Sequence, residues 1–402
     1  MDELGEWLSA NGLDGGRKRS FRAEQIFNWL GLGARSFDEM TNLPFRLRVE
    51  LAARASTGTP EITAAARSQR DGTVKYAMRT SDGNVIESVL MRYMHGDAVC
   101  ISTQAGCRMG CVFCASKPKN FARNLTPGEI FGQAAAIARH EKSEMNNTIR
   151  SETDDLFRSE TDSTIRSETD NTIRSETEST IRSETDDLFR SEMDNTIRSE
   201  TNSTFRIGNV VIMGVGEPFD NYDNTLKAVK LLHAHAALNI GYRKITISTC
   251  GIVPGILRLA DEGLPAGLSV SLHSADDAVR SRLMPVNRRY SIDKLIEGCK
   301  IYTCKTKRRV TFEYALIKGF NDAPDDARRL MRKIRGMLCH INLIPLNNTG
   351  NPEYAPPPPD RIKRFGEILA GGGMQVTARR ELGTDIMAAC GQLRNSIIDS
   401  CD

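Results

Sequence analysis

Three cysteines close together in the sequence could ligate a metal. Cys107, Cys111 and Cys114 form a C-x3-C-x2-C triplet, which follows the strand-like stretch 98–102. The motif contains no fourth cysteine and no histidine. Thiolates are the usual ligands of iron-sulfur clusters, and a 4Fe-4S cluster normally takes four of them. The triplet therefore predicts a 4Fe-4S cluster in which one iron has no protein ligand and is open for chemistry.

A structural zinc site is the main alternative for these thiols. Such a site needs a closed set of four nitrogen or sulfur ligands, typically supplied by two C-x2-C pairs. The chain has no second C-x2-C pair. The sequence therefore favours the iron-sulfur cluster over a zinc site and over three buried thiols that bind no metal.

Length and composition allow one barrel with attached parts. The chain has 402 residues, and a βα barrel takes roughly 250 of them. No apolar run approaches a membrane span, and the first seven residues are acidic where a signal peptide is basic and then apolar. We therefore expect a cytoplasmic protein without a membrane partner. Its ten cysteines indicate metal ligation or catalysis before disulfides, because the cytoplasm keeps thiols reduced.

An eight-residue repeat runs from Asn147 to Arg206. Most units, such as Asn-Thr-Ile-Arg-Ser-Glu-Thr-Asp, have one or two apolar residues, too few to cover a core face. A period of eight matches neither a helix nor a strand. We predict a disordered surface insertion over 146–206. A short β-solenoid is the alternative, but it needs a stacking apolar row.

The charge outside the repeat is strongly positive. Residues 147–206 contain 8 Arg and 15 Asp or Glu, which leaves 46 basic and 36 acidic residues in the rest of the chain. Basic clusters include Arg17–Arg19, Lys305–Arg309 and Arg379–Arg380. Each cluster alone is typical of a solvated face. Together they favour a phosphate-rich partner such as a nucleic acid.

Short β-branched runs alternate with helical patterns from residue 98 to about residue 379, which is typical of parallel βα units. The predicted strands are 98–102, 209–213, 244–248, 267–272, 309–315 and 340–345. The predicted helices are 127–140, 223–235, 252–261, 292–300, 324–335 and 360–369. Six such units predict an α/β fold, an incomplete (βα)6 barrel with its functional residues at the carboxyl ends of the strands.

Small polar motifs follow several of these strands. In Met213–Pro218, two glycines let a ligand approach the backbone, and Glu217 offers a carboxylate to an ammonium or to ribose hydroxyls. The segments 248–251, 271–274 and 344–347 end three further strands. Each motif alone resembles an ordinary turn. Their shared position at one edge of the predicted barrel indicates a ligand site.

These motifs resemble the RlmN family of dual-specificity RNA methyltransferases, which are radical S-adenosylmethionine (SAM) enzymes. The cluster triplet has the spacing of that superfamily, and the segment Asp385–Leu393, with Cys390, makes the likeness to the family specific. Segments 21–27, 37–44, 85–87, 102–107 and 121–125 are also similar. The resemblance covers nearly all of the chain except the repeat. It implies a helical accessory domain (1–60), a β-rich connecting segment (61–97), a radical SAM barrel (98–380) and a C-terminal segment (381–402).

The resemblance also implies roles for individual residues. Cys107, Cys111 and Cys114 hold the 4Fe-4S cluster, and SAM is surrounded by Gly216, Glu217, Ser248, Ser271, Leu272, His273 and Asn347. Cys390 carries the methyl group as S-methylcysteine, Cys100 resolves the covalent adduct through a transient disulfide with Cys390, and Glu87 accepts a proton. By residue type alone, both cysteines could be buried apolar residues and Glu87 a solvated strand residue.

The implied reaction methylates C2 of an adenine in 23S rRNA and of the adenine next to the anticodon in tRNA, with two SAM molecules per turnover. Adenine C2 is not nucleophilic, so a thiolate carrier such as Cys390 splits one difficult transfer into easier steps. The base must be unstacked to react, and RNA loops offer such bases. We also expect the protein to be a monomer that receives its electrons from a donor such as a flavodoxin.

Two other functions are compatible with the residues. One is methylation of adenine C8 in rRNA by a relative that shares the cluster and both catalytic cysteines. The other is a catalytically silent RNA-binding module with a structural metal. The position of the methyl group on adenosine distinguishes the first, and iron content with SAM cleavage after anaerobic reconstitution distinguishes the second.

Overall fold

The computed structural model describes residues 2–14, 19–116, 121–168, 205–347, 351 and 353–393, with the backbone alone for 2, 19, 20 and 149–168. Internal contacts divide the chain into one unit of residues 1–137 and 207–402 and a second unit of residues 138–206. Within the described ranges, no helix is both long and apolar enough to span a membrane. Every residue predicted to act in catalysis or binding belongs to the first unit.

Three helices near the start of the chain pack around a core of their own. They are α1 (Asp2–Ala10), α2 (Arg19–Gly31) and α3 (Phe45–Arg54). Leu8, Ile26, Met40 and Leu51 are almost fully buried in this core. Apolar residues at helical spacing bury one stripe of a helix and leave its polar residues in water. The segment 1–60, predicted to be helical, contains these three helices.

Antiparallel strands follow the three helices. β1 (Glu61–Arg67), β2 (Val74–Arg79), β3 (Val85–Met91) and β4 (Asp97–Cys100) pair in sequence order. Gly72 and Gly83 lie in the turns with φ angles of +70° and +84°, a conformation that suits glycine. Nearly all residues of β2 and β3 are buried, so both faces of the sheet are covered here. A separate pair, β5 (Gln104–Ala105) and β6 (Arg123–Asn124), follows β4.

From β4 onward the main sheet is parallel. Its further strands are β7 (Ile207–Ile212), β8 (Ile245–Thr249), β9 (Gly267–Ser271), β10 (Val310–Leu316), β11 (Cys339–Pro345) and β12 (Val376–Ala378). In the described part of the chain these strands follow one another in order, with β1 and β12 at the two ends of one ten-stranded sheet. The sheet therefore forms an open barrel wall whose carboxyl strand ends lie along one edge.

Helices alternate with the parallel strands. They are α4 (Pro127–Glu168), α5 (Tyr222–His233), α6 (Val253–Asp261), α7 (Asp277–Leu283), α8 (Ile292–Thr306), α9 (Pro324–Lys333) and α10 (Pro359–Gly371). Leu226, Leu259, Leu295 and Leu330 are buried on four of them. Parallel neighbours need such crossover connections, which the alternating pattern of the sequence predicts. The predicted α/β fold, an incomplete βα barrel, is confirmed.

The sequence did not predict α7, β12 or the β5–β6 pair. α7 is short and polar, and its start is fixed by Asp276, whose Oδ1 accepts from Ala278 N at 2.9 Å and from Val279 N at 3.1 Å. This is an N-cap, which satisfies backbone donors that the first helical turn leaves free. β12 and the β5–β6 pair have two or three residues per strand, too few to show a periodic pattern.

The insertion predicted over 146–206 begins inside α4. α4 does not end at His140 but continues to Glu168, so residues 147–168 are helical. Extension of an existing helix needs no new nucleus, so a sequence without helical periodicity can still continue it. Thr148 Oγ1 donates to Glu144 O at 3.0 Å, which satisfies the hydroxyl inside the helix. Residues 169–204 of the repeat lie outside the described residues.

Candidate active site

The three clustered cysteines lie on the loop between β5 and β6. Gly106 and Gly110 have φ angles of +83° and +72°, so the chain turns just before Cys107 and again before Cys111. Cys114 N donates to Cys111 O at 3.2 Å, which closes a further turn. Sharp turns of this kind let three thiols from eight residues share one small region.

The three thiols are electrostatically coupled. Burial raises the pKa of Cys107 to about 11, and negative charge on Cys114 contributes to the rise. Burial also raises the pKa values of Cys111 and Cys114, and charge on both neighbouring thiols raises the pKa of Cys111 further. Three thiolates therefore repel one another in this apolar region. Ligation by iron removes that penalty, because a metal holds its thiol ligands in the deprotonated form.

This donor set fits a 4Fe-4S cluster with one open iron. Each thiolate in such a cluster binds its own iron, so three cysteines leave the fourth iron without a protein ligand. Among the described residues, no three His, Cys, Asp or Glu side chains converge as ligands of a single metal ion do. Met109, Val112 and Phe113 belong to the same apolar cluster as Cys111. An apolar shell controls the access of water to a metal centre.

Glu217 lies in the turn beyond β7 and is 3% exposed. Its Oε1 accepts from Thr249 Oγ1 at 2.7 Å and from Phe219 N at 3.0 Å, and its Oε2 accepts from Cys250 N at 2.7 Å. Burial nevertheless raises the pKa of Glu217 above its ordinary value. A buried carboxylate favours a cationic partner, such as the ammonium group of a ligand.

The glycines before Glu217 allow two neighbouring strand ends to approach closely. Gly216 has a φ of +107°, and a Cβ there would lie 2.7 Å from Gln104 Cβ. A Cβ on Gly214 would lie 2.6 Å from Ser102 Oγ. Gln104 Oε1 in turn accepts from Glu217 N at 2.9 Å. Any side chain at either glycine would push the Glu217 turn away from the strand end that supports it.

His273 connects the end of β9 to the cluster loop. The other predicted residues here are Ser248 in β8 and Ser271 and Leu272 at the end of β9. His273 has a left-handed backbone with a φ of +54°, and its Nδ1 accepts from Ala315 N at 2.9 Å. Burial lowers the pKa of His273 to about 3, so its imidazole is neutral at physiological pH. Its ring meets the ring of Phe113 edge-on, with centroids 5.0 Å apart.

Arg280 was not predicted, although it ties two strand ends together. This fully buried residue of α7 donates to Leu272 O at 3.0 Å, to Cys250 O at 2.8 Å and to Asn287 Oδ1 at 2.8 Å. Burial lowers the pKa of Arg280, yet a guanidinium stays protonated in proteins. Its planar fork can bond several acceptors at once, which a lysine cannot do. An arginine in a short polar segment gives no such signal in the sequence.

Cys100 and Cys390 line the same pocket, although they lie far apart in the sequence. The pocket has a volume of about 100 Å³. Its lining also includes Cys114 of the cluster loop, Asn347 beyond β11 and Arg379 beyond β12. The structure therefore brings the predicted methyl carrier, the predicted resolving thiol and one predicted cluster ligand to one place.

Arg379 and Arg380 are the arginines among the described residues that line this pocket, and sequence reasoning did not assign either of them there. Negative charge on Cys390 raises the pKa of Arg379 above its ordinary value, and the charge on Glu313 adds to this. Burial raises the pKa of Cys100 to about 12, with a contribution from charge on Cys390, whereas Arg379 opposes the rise. The Arg379 guanidinium thus favours the charged form of Cys100, whereas burial disfavours it. The only sequence signal was the basic pair with Arg380, which we interpreted as part of a nucleic-acid surface.

Backbone contacts fix Cys390 beside the cluster loop and the end of β11. Asn347 Nδ2 donates to Cys390 O at 3.1 Å. Ala115 N, directly after the third cluster cysteine, donates to Gly391 O at 2.7 Å. These two hydrogen bonds hold the predicted carrier at the same edge as the cluster loop.

The β1–β2 turn holds the other end of the segment that carries Cys390. Ser68 Oγ donates to Asp385 Oδ1 at 2.8 Å, and Gly383 N donates to Asp71 Oδ2 at 2.9 Å. Hydrogen bonds to Thr73, Gly383 and Ser68 lower the pKa of Asp71 despite its partial burial. The antiparallel strands therefore position the carrier segment, a role that the sequence did not reveal.

Glu87 lies next to this pocket on β3 and is 1% exposed. It stands two residues before Val89, which lines the pocket. Alternate residues of a strand share a face, so Glu87 is on the pocket side of the sheet. In the described part of the chain, Glu87 is not itself among the lining residues. Lys75 of β2 places its Nζ 3.5 Å from Glu87 Oε1.

Two family models match the chain. Residues 3–57 match the ribosomal RNA large subunit methyltransferase N-terminal domain, and residues 181–331 match the radical SAM superfamily. The cluster loop lies before the second segment. The N-terminal match covers all three helices of the first core except Asp2, the first residue of α1.

Relatives align over nearly the whole chain. A protein of Clostridium botulinum (strain Eklund 17B / Type B) named "Probable dual-specificity RNA methyltransferase RlmN" is 41% identical over 398 residues, which cover 99% of this chain and 95% of the relative. A protein of the same name from Symbiobacterium thermophilum is 44% identical over 377 residues, 93% of this chain and 85% of the relative. The crystal structure of a radical SAM methyltransferase from Sphaerobacter thermophilus matches with a TM-score of 0.78 and 39% identity, over 98% of this chain and 97% of that chain.

Similarity at this level over almost the full length fixes both the family and the cofactors. Radical SAM enzymes use a 4Fe-4S cluster and SAM, so both predicted cofactors are confirmed. The alternative prediction of a structural zinc site is therefore wrong. The prediction of a SAM-dependent methyltransferase is also confirmed, against a catalytically silent module. The chain therefore belongs to the RlmN family of radical SAM methyltransferases.

Proposed function

We propose that this enzyme methylates C2 of an adenine in 23S rRNA and of the adenine next to the anticodon in tRNA, with Cys390 as the methyl carrier. The observation that carries the proposal is the single pocket lined by Cys390, Cys100 and Cys114. The relatives are named dual-specificity RNA methyltransferases, which supports RNA as the substrate. The positive charge outside the repeat also suits a polyanion.

A covalent carrier explains the first use of SAM. Adenine C2 has no electron pair with which to attack the sulfonium methyl group directly. As a thiolate, Cys390 Sγ displaces S-adenosylhomocysteine from the first SAM and becomes S-methylcysteine. Arg379 lines the same pocket, and charge on Cys390 raises the pKa of Arg379, so the guanidinium and the carrier sulfur interact electrostatically.

A second SAM provides the radical step. Cys107, Cys111 and Cys114 would hold the cluster, which would supply one-electron chemistry: the electron for reductive cleavage of SAM and, after addition to the base, an acceptor for one electron. The radical from SAM removes a hydrogen atom from the methyl group on Cys390. The methylene carbon on Cys390 Sγ bonds to C2 of the adenine. The base must leave its stack to reach the pocket, and single-stranded RNA loops allow this at low cost.

Release of the product needs a base and a second thiol. The C2–H bond of the adduct breaks, its proton passes to Glu87, and its electron pair restores the aromatic ring. The Cys100 thiolate then attacks Cys390 Sγ. A disulfide forms, the carbon–sulfur bond breaks, and the methylene carbon takes the electron pair and a proton to become the methyl group. In this proposal the disulfide is a transient step that an external reductant reverses. All nine cysteines that the structure describes are free thiols.

We assign SAM binding to residues at the carboxyl ends of the parallel strands, where βα barrels bind their ligands. The residues are Gly216, Glu217, Ser248, Ser271, Leu272, His273 and Asn347. Glu217 is suited to the ammonium group of SAM, because it is a buried carboxylate close to the cluster loop. Asn347 already bonds Cys390 O, so it can keep the methyl group of SAM near the carrier thiol.

The remaining predictions concern the surroundings of the enzyme. A small redox protein such as a flavodoxin delivers the electron for SAM cleavage in our proposal. A monomer suffices, because all assigned residues come from one chain. The cytoplasmic location and the boundaries at 60, 97 and 380 stay predictions.

Mass spectrometry of the modified nucleosides tests the proposed function. The reconstituted enzyme is incubated without oxygen with both RNAs and with SAM whose methyl group is deuterated. We expect labelled 2-methyladenosine from both RNAs, none of it with Cys390→Ala, and the usual amount with Cys304→Ala, because Cys304 is an exposed cysteine outside the site. Formation of 8-methyladenosine alone would establish the C8 alternative, and methylation by Cys390→Ala would refute the carrier.

A further inference from the structure

Lys75 is a buried cation between Glu87 and the segment that carries Cys390. Its side chain is 3% exposed, and its Nζ lies 3.5 Å from Glu87 Oε1 and donates to Met387 O at 3.4 Å. Met387 has a left-handed backbone with a φ of +52°, a conformation uncommon for a residue other than glycine. One ammonium group therefore contacts the predicted base and a backbone carbonyl three residues before the carrier cysteine.

A carboxylate as deeply buried as Glu87 depends on such a cation for its charge. A carboxylate that leaves water without a partner takes up a proton instead. A proton acceptor, however, has to be ionised before the reaction. The Lys75 ammonium supplies the opposite charge from β2, where Lys75 pairs with Val89, two residues along β3 from Glu87.

We propose that Lys75 is a positioning residue for the release step, which keeps Glu87 ionised and ties it to the carrier segment through Met387 O. The inference rests on the proposed function, in which Glu87 accepts the proton from adenine C2. Lys75 acts through Glu87 and makes no contact with the adenine. The bond changes are those of the release step described above, with the proton moving from C2 to Glu87.

Loss of the Lys75 charge should block release and leave the earlier steps intact. A protonated Glu87 cannot accept the C2 proton, so the covalent adduct between Cys390 and the RNA accumulates. SAM cleavage and methylation of Cys390 precede this step and should proceed as in the wild type. General base catalysis is worth about 100- to 10,000-fold, so we expect the adduct to resolve at least about 100-fold more slowly in Lys75→Met.

A single turnover with radiolabelled RNA measures the adduct as a protein–RNA band on a denaturing gel, alongside SAM cleavage and the methylation of Cys390. Lys75→Met removes both the charge and the donor, Lys75→Gln keeps a donor without the charge, and Lys75→Arg keeps both. We expect the first two to accumulate adduct and the third to restore release. If Lys75→Gln releases product as fast as the wild type, the charge of Lys75 is not required and the proposal is wrong.

Glu87→Gln separates this inference from the proposed function. If Glu87→Gln releases product normally, Glu87 is not the proton acceptor and the proposed release step fails. If Glu87→Gln accumulates adduct and Lys75→Met does not, the release step stands and the role of Lys75 is refuted.

The double variant Lys75→Met/Glu87→Gln controls for misfolding. It removes both charges of the buried pair together, so it should fold even if Lys75→Met alone does not. We expect its adduct to accumulate to the level of Glu87→Gln, because Lys75 has no effect once Glu87 cannot ionise. An adduct level well above that of Glu87→Gln would show that Lys75 acts through another group, against the proposal.

Discussion

Replacement of Arg280 by methionine should lower the free energy of unfolding by about 2–6 kcal/mol. Arg280 is fully buried, and Leu272 O, Cys250 O and Asn287 Oδ1 accept its shorter hydrogen bonds. Ser271 O, which is only partly buried, accepts a fourth at 3.1 Å and is left out of the magnitude. Leu272 O also accepts from Ser274 N at 2.7 Å, so it keeps a donor in the variant. Cys250 O and Asn287 Oδ1 lose the guanidinium, and each buried acceptor without a donor costs about 1–3 kcal/mol.

Urea unfolding followed by circular dichroism measures this loss, and SAM binding measures its effect on the site. Arg280→Lys should recover only part of the stability, because one ammonium cannot reach all the acceptors of the planar fork. Arg328→Met is the matched control. Arg328 is exposed and pairs with Asp325 at 2.6 Å, and surface pairs of this kind contribute at most about 1 kcal/mol. An Arg280→Met variant as stable as Arg328→Met would refute the reasoning.

Three further results are expected. Cys100→Ala should accumulate a covalent protein–RNA adduct on a denaturing gel, because no thiol then attacks Cys390 Sγ; prompt release of methylated RNA would argue against the resolving role. Burial raises the pKa of Cys100 to about 12, so its thiolate fraction should still be rising at a pH of about 10. At a pH of about 8, iodoacetamide should therefore alkylate Cys100 more slowly than the exposed Cys304. Equal alkylation rates, measured by peptide mass spectrometry, would contradict this. Excision of residues 147–204 should leave SAM cleavage nearly unchanged, because no assigned residue lies there; a large loss of cleavage would show that the insertion has a role in the reaction.

Much of the barrel could be predicted, because each βα unit has its own local pattern. The run before Pro345 contains the apolar residues Ile341, Leu343 and Ile344, and it forms β11 at Cys339–Pro345, one residue longer than predicted. α4 shows where local patterns fail. Its end depends on whether an existing helix is extended, and the repeat has no periodicity that reports this.

Site residues that belong to short sequence motifs could be predicted. Site residues whose role depends on burial in the folded protein could not. The cysteine triplet and Cys390 belong to short motifs, and the structure places Cys114 and Cys390 at one pocket. Lys75 gave no signal, because a lysine between two apolar residues of a strand usually faces water. It is buried because both faces of β2 are covered, a fact about distant parts of the chain. Arg280 was missed for the same reason.

The mass of the peptide that contains Cys390 tests the central claim most directly. Protein purified from cells that were fed methionine with a deuterated methyl group is digested, and each cysteine peptide is examined. We predict a labelled methyl group on Cys390 and on no other cysteine. An unmodified Cys390 in protein that methylates RNA, or a methyl group on Cys100 instead, would contradict the carrier mechanism.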